Sequence, residues 1–119
     1  MNKVFKFPII ISTVLSVIAG VALADTKIGM ITTLSGGGAG LGVDVRDGFM
    51  LAINQSGRSD IEVIIEDDQR KPDVAVKLAD KMIQSDKVDI LTGIIWSNLA
   101  MAVVPVSYTH LTLPTTPYV

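Results

Sequence analysis

The chain has 119 residues, no cysteine, one histidine and a net charge of −2. Without cysteine it has neither a disulfide framework nor a thiol that could carry a lipid at a processing site, and one histidine is too few for a metal centre built on a histidine cluster. All twelve acidic residues but only eight of the ten basic ones follow residue 24, so the bulk of the chain is acidic, the opposite of what binding a nucleic-acid backbone requires.

Hydrophobic residues make up 49% of the sequence, and the excess lies largely in the first 24. Lys3 and Lys6 open the chain, "FPIIISTVLSVIAGV" is apolar, and Ala22-Leu23-Ala24 has the small-x-small spacing that a signal peptidase needs. A retained membrane anchor is the alternative. Spanning takes about 20 unbroken apolar residues, and Pro8, Ser12, Thr13, Ser16 and Gly20 interrupt this run. Residues 1–24 are therefore expected to be a signal peptide cleaved after Ala24, which sends a soluble product to the periplasm.

Next comes "KIGMITT", Lys27 to Thr33, a short β-branched run read as a strand. It enters "LSGGGAGLG", after which Val45, Phe49, Ala52 and Ile53 recur at the spacing of one helical face. "IEVIIE", Ile61 to Glu66, is a second strand. A second helix runs from about Pro72, a residue suited to the first helical position. Val74, Ala75, Leu78, Ala79, Met82 and Ile83 lie on one side of it, and Asp73, Lys77, Asp80 and Lys81 on the other. "VDILTGII", Val88 to Ile95, is a third strand, and "SNLAMAVVP" opens a third helix that Ser97 or Asn98 is placed to cap.

This alternation implies an α/β fold, a three-layer parallel sheet joined by right-handed crossovers with strand order 2-1-3. Ligands of such sheets gather outside the carboxyl ends of the strands, where the strand order reverses. Here those ends are the glycine loop with Ser35 and Gly36, the pair Asp67-Asp68, and Trp96-Ser97-Asn98. Adjacent carboxylates on an extended chain point in opposite directions, so Asp67 and Asp68 do not form an acid-base pair. One is expected to fix the loop by accepting backbone N–H bonds and the other to be solvated.

The glycine loop fails the nucleotide patterns. Gly37 and Gly42 have the separation of a phosphate-binding P-loop, but Val43 stands where its lysine belongs. A dinucleotide fingerprint started by Gly36 and Gly38 meets Leu41 at its last position, and one started by Gly38 and Gly40 meets Val43. No cofactor or metal is expected. With the lone histidine near the carboxyl end, no Ser-His-Asp set forms, so the chain is expected not to be an enzyme.

From Val106 the sequence reads "VSYTHLTLPTTPYV", which has no periodicity and holds both tyrosines and the only histidine. A polar linker would look like this. However, Val106 to Thr115 resembles, codon for codon, the translation of a transposon-type sequencing adaptor. Residues 106–119 are accordingly expected to be a non-native tail. That leaves residues 25–105, about 80, where one core becomes marginal.

Taken in order, "KIGMITTLSGGGAGLGVDVRDGFMLAIN", "IEVIIEDDQRKPDVAVKLADKMI" and "VDILTGIIWSNLAMAVVP" resemble the leucine/isoleucine/valine-binding family of periplasmic solute-binding proteins, with the type I binding-protein fold. The resemblance covers nearly all of Lys27 to Pro105 and implies part of the amino-terminal lobe. Members close two lobes around a small carboxylate-bearing solute and deliver it to an ABC permease in the inner membrane, and the full-length protein is expected to be a monomer. In the family pattern the position of Leu41 supplies an apolar or aromatic wall for the ligand and that of Ser97 donates its hydroxyl to the ligand carboxylate. The helix end at Ser97 suits an anion, and capping of its own helix is the other role open to that serine.

Trp96 and Asn98 depart from the small or hydroxyl residues that many amino-acid binders carry around that serine. Trp96 either packs behind the strand, the commoner use of a tryptophan, or stacks on an aromatic ligand. "GIIWSN" resembles the aromatic-acid branch of the family, which leans the ligand from branched-chain amino acids toward aromatic acids. A ligand-sensing receptor domain of the same fold is the alternative function, and a secreted Rossmann-like enzyme a more distant one. The third strand is expected to show an unpaired edge, and this chain alone to bind solute poorly.

Overall fold

The computed structural model describes residues 26–110. The expected leader and its expected cleavage point, and the last residues of the expected non-native tail, lie outside them. Strands β1 (Thr26–Thr32), β2 (Ile61–Asp67) and β3 (Ile90–Thr92) alternate with helices α1 (Ala39–Gln55), α2 (Pro72–Gln84) and α3 (Ser97–His110). The sheet is parallel with order β2-β1-β3, as the alternation predicts. Thr26 pairs with Ile61 and Thr32 with Asp67 on one side of β1, and Ile28 to Met30 pair with Ile90 to Thr92 on the other.

As the central strand, β1 is buried without interruption from Ile28 to Thr32, the mark of a parallel strand covered on both faces. The chain steps from β1 to β2 and then back across β1 to β3. Right-handed crossovers therefore place α1 and α2 on opposite faces. The core lies on the α2 face, where Ile31 meets Ala75, Ala79, Met82, Ile83, Val88, Leu99 and Val103. In α2 the predicted face matches the observed one. Ala75, Ala79, Met82 and Ile83 are buried, with Val74 and Leu78 half-buried. Pro72 takes the first helical position, and Asp73 and Lys81 sit at the ends that complement the helix dipole.

Helix α1 departs from expectation. Of its predicted face, Phe49 and Ile53 are half-buried while Val45 and Ala52 are exposed, and only Gly42 is buried. Helices α2 and α3 pack on each other and share the core around Ile31, whereas the contacts of α1 run chiefly to β1. Strand β3 is also shorter than the predicted Val88 to Ile95. It ends at Gly93, whose φ of +94° turns the chain out of the sheet. Its outer edge has no partner among the described residues.

The third helix differs at both ends. Ala100 N–H donates to the Trp96 carbonyl at 3.0 Å, so Trp96 precedes the helix and Ser97 is its first residue. Neither Ser97 nor Asn98 makes the side-chain cap expected of it. The helix also runs past Pro105 to His110, through residues with no helical period of their own. Val106 packs on the core, and the Ser107 and Thr109 hydroxyls donate to carbonyls four residues back. Once begun, a helix extends residue by residue more readily than it nucleates. Pro105, without an N–H, leaves the carbonyl of Met101 without its intrahelical donor.

Candidate functional site

Three connections meet at the carboxyl end of the sheet. In the first, β1 leads into a turn in which Gly36 and Gly38 take φ values of +70° and +97°, a conformation costly for residues with a side chain. Ala39 N–H donates to Gly36 O, and Leu41 and Gly42 N–H donate to Gly38 O, so the turn winds directly into α1 without a side-chain cap. Gly42 then passes so close to β1 that a Cβ there would lie 1.8 Å from the Thr33 carbonyl oxygen. Glycine is required at Gly42 for contact, and at Gly38 for φ and contact together. A Cβ on Gly38 would come within 2.6 Å of the Trp96 ring.

The second connection follows β2. Asp68 N–H bonds to Thr32 O, and the chain then bends sharply because Gln69 and Arg70 both adopt left-handed φ, 52° and 57°. Each aspartate accepts the N–H two residues on. Gln69 donates to Asp67 Oδ1 at 2.9 Å and Arg70 to Asp68 Oδ1 at 2.8 Å, a pattern that lets a short polar side chain stand in for the ladder. Both carboxylates also reach the glycine turn. Asp67 accepts Leu34 N–H at 2.8 Å and the Ser35 hydroxyl at 2.5 Å, and Asp68 accepts the Thr33 hydroxyl at 2.6 Å.

The expectation that one aspartate would be solvated is corrected here. Asp68 is fully buried and Asp67 half-buried, because the left-handed bend after β2 folds both carboxylates against the first loop. Burial alone pushes the Asp67 carboxyl up. The hydrogen bonds from Ser35, Leu34 and Gln69 outweigh it and hold the group below the ordinary aspartate value.

The third connection carries Trp96, Ser97 and Asn98. The indole Nε1–H donates to the Thr33 hydroxyl oxygen at 2.8 Å. The Arg70 guanidinium lies over the ring, 3.9 Å from its centroid, a favourable cation-π arrangement. Arg70 Nη1 also reaches Gly37 O at 3.5 Å. Trp96 is thus the piece that all three connections touch, and it packs against the core from behind. Ser97 and Asn98 are exposed on the first turn of α3, where the leading N–H groups have no intrahelical acceptor.

The residues singled out from sequence fall around this centre. Ser35 is tied to Asp67, Gly36 stands at the tip of the turn with open space around it, and Leu41 is 57% exposed one turn into α1. Thr33 and Arg70, which join the loops together with Asp68, are not among them. The signal for Arg70 is the Asp-Asp-Gln-Arg run directly after a strand, of which the sequence reading uses only the acidic pair. Thr33 gave no signal beyond closing an apolar run. Among the described residues no group of three or more histidine, aspartate or glutamate side chains gathers as a metal site would need.

Residues 25–114 match the family model of periplasmic binding proteins. No curated protein matches. Among solved structures, a solute-binding protein of an ABC transporter from Rhodopseudomonas palustris in complex with benzoate is 36% identical, with a TM-score of 0.63, over 68% of this chain and 24% of that one. A second from that organism, in complex with 3,4-dihydroxybenzoic acid, is 32% identical with a TM-score of 0.68, over 71% and 24%. A branched-chain amino acid transporter substrate-binding protein from Streptococcus pneumoniae in complex with isoleucine is 26% identical with a TM-score of 0.67, over 71% and 26%. The chain spans about a quarter of the length of these relatives, and its sheet and helices match their type I binding-protein fold.

Proposed function

The chain belongs to the periplasmic binding protein family, and on that premise we propose that it is part of the amino-terminal lobe of a solute-binding component of an ABC uptake system. In this reading the protein is exported by its leader, captures a small carboxylate in the periplasm and presents it to a membrane permease, without catalysing a reaction. The observation that carries the reading is the meeting of the glycine turn, the β2–α2 bend and the start of α3 on Trp96. Bare amides, a helix amino terminus and an aromatic ring grouped in this way are a combination suited to a small anion. Ser35, Gly36, Leu41, Trp96, Ser97 and Asn98 are the proposed contacts. The Ser97 hydroxyl has no hydrogen-bond partner among the described residues and is free to donate to a carboxylate.

Aromatic acids are the favoured ligand class. Support comes from the greater identity to the two benzoate-type complexes than to the isoleucine complex, and from an aromatic side chain, Trp96, where the three connections meet. The test is a titration of the isotope-labelled chain with benzoate and with leucine, followed through the amide and indole signals. Benzoate is expected to shift Gly36 to Gly38, the Trp96 indole, Ser97 and Asn98, at lower concentration than leucine does. Shifts confined to other surfaces, or shifts at the glycine turn produced by an adenine dinucleotide instead, would reject the reading.

A further inference from the structure

Trp96 is held by a relay whose direction is fixed by chemistry. A threonine hydroxyl has one proton to give, and Thr33 gives it to the buried Asp68 Oδ1 at 2.6 Å. Its lone pairs are then left for the Trp96 Nε1–H, which arrives at 2.8 Å and can only donate. Asp68 in turn is held in place by Arg70 N–H at 2.8 Å, and the side chain of that same arginine covers the indole face.

The arrangement is expensive for the fold. Asp68 is fully buried, and its Oδ2 has no hydrogen-bond partner among the described residues. A buried carboxylate with a bare oxygen loses hydration that nothing repays. What it supplies is geometry: Asp68 Oδ1 already accepts Arg70 N–H and the indole N–H can only donate, so the Thr33 hydroxyl between them has one way to turn.

We propose that Thr33 and Asp68 are positioning residues for the ligand mouth: they set the orientation of the Trp96 indole, and through it the lip formed by Gly38 and the first turn of α3. This deepens the reading of Trp96 as a ligand contact and rests on it. Neither residue is expected to touch the solute, since both are fully buried.

The chain has a single tryptophan, so its indole signals need no assignment by mutation. In the unmodified chain, hydrogen exchange of the indole proton is expected to be slowed relative to free tryptophan. Thr33→Val, which keeps the shape and removes the hydroxyl, is expected to speed that exchange about five- to tenfold, the worth of one net hydrogen bond, and to raise quenching of the emission by acrylamide. Thr33→Ser restores the hydroxyl and is expected to restore both readouts. Asp68→Asn keeps an acceptor at the Oδ1 position and is expected to leave the indole protected. An indole that exchanges freely in the unmodified chain overturns the relay, and this measurement stands even if Thr33→Val fails to fold. Equal protection in Thr33→Val and the unmodified chain overturns it as well. A benzoate titration carried to concentrations that reveal weak binding separates the two ideas: a protected indole that benzoate still leaves unmoved refutes the ligand reading of the mouth, whereas an unprotected one refutes the positioning role.

Discussion

Gly42→Ala is the sharpest test of how α1 is seated on the sheet. In an open helix position the change should help, because alanine is favoured over glycine by about 1 kcal/mol. At Gly42 the new Cβ would lie 1.8 Å from the Thr33 carbonyl oxygen and 2.6 Å from its carbonyl carbon. Contacts below 3.0 Å are not sustained, so the start of α1 must lift by roughly 1.2 Å. Both sides of the clash are backbone, and no side chain can swing away to relieve it. Overpacking of this kind costs about 1–3 kcal/mol, and its upper range applies where only backbone can move. Subtracting the propensity gain leaves a net loss of about 2 kcal/mol, or a fall in Tm of roughly 10 °C for a domain of this size. Gly40→Ala, two residues away in the same helix, meets nothing within 4 Å and should gain up to about 1 kcal/mol. Thermal and urea unfolding of the three proteins, followed by far-ultraviolet circular dichroism and Trp96 emission, checks the pair. The reasoning is refuted if Gly42→Ala matches the parent chain in stability, or if Gly40→Ala loses as much as Gly42→Ala.

Three further outcomes follow from the same geometry. Met82→Ala empties a fully buried site beside Gly29, whose added Cβ would meet the Met82 sulfur at 2.7 Å; urea unfolding should show a loss of about 2–5 kcal/mol. Asp67 has its folded pKa held low by hydrogen bonds, so its stabilisation is present above the unfolded value of about 3.9 and lost as pH falls through the lower folded value. Asp67→Asn should therefore flatten the acid limb of a stability-versus-pH curve, and an unchanged limb would contradict the assignment. Ile90, 49% exposed on the strand whose outer edge has no partner among the described residues, should promote association; Ile90→Lys is expected to lower aggregation measured by light scattering.

The sequence made some of this architecture legible because its signals were local. In α2, the apolar period, Pro72 at the start and the charges on the outer face all point the same way, and the buried set agrees residue by residue. Parallel pairing followed from the alternation of strand and helix. Helix α1 shows the limit: a period reveals which face is apolar and says nothing of what covers it, so Val45 could be placed on a face yet not in the core. The start of α3 could not be fixed to the residue either. Trp96, Ser97 and Asn98 all compete for the boundary, and the Trp96 indole bond to Thr33, 63 residues away in sequence, takes part in setting it. The burial of Asp68 depends on left-handed backbone at Gln69 and Arg70, residue types that give no warning of it. Likewise four glycines lie between Gly36 and Gly40, yet the one that meets backbone is Gly42.

An acidic chain can still present an anion-favouring mouth, because what an approaching solute feels is the local charge left unspent. Asp67 distributes its charge among three donors and Asp68 is buried beneath the loop. Lys27, Arg46, Arg58 and Lys81 are each paired with a carboxylate, whereas Arg70 has none within ion-pair distance among the described residues and stands over Trp96 at the mouth. The first turn of α3 adds partial positive charge at the same place. If this is the ligand mouth, a carboxylate is expected to be attracted here and an ammonium group to be repelled by Arg70 and the helix end. Phenylacetate and phenylglycine share a ring and a carboxylate and differ by one ammonium, so they isolate the effect. With solvent screening the penalty for that group is about 1 kcal/mol, which makes phenylacetate roughly fivefold the better ligand in a titration followed at the Trp96 indole. Arg70→Gln should narrow the gap, and raising the salt concentration should do so too. Phenylglycine binding as tightly as phenylacetate, with Arg70 intact and at low salt, would show that the cation over Trp96 does not face the solute.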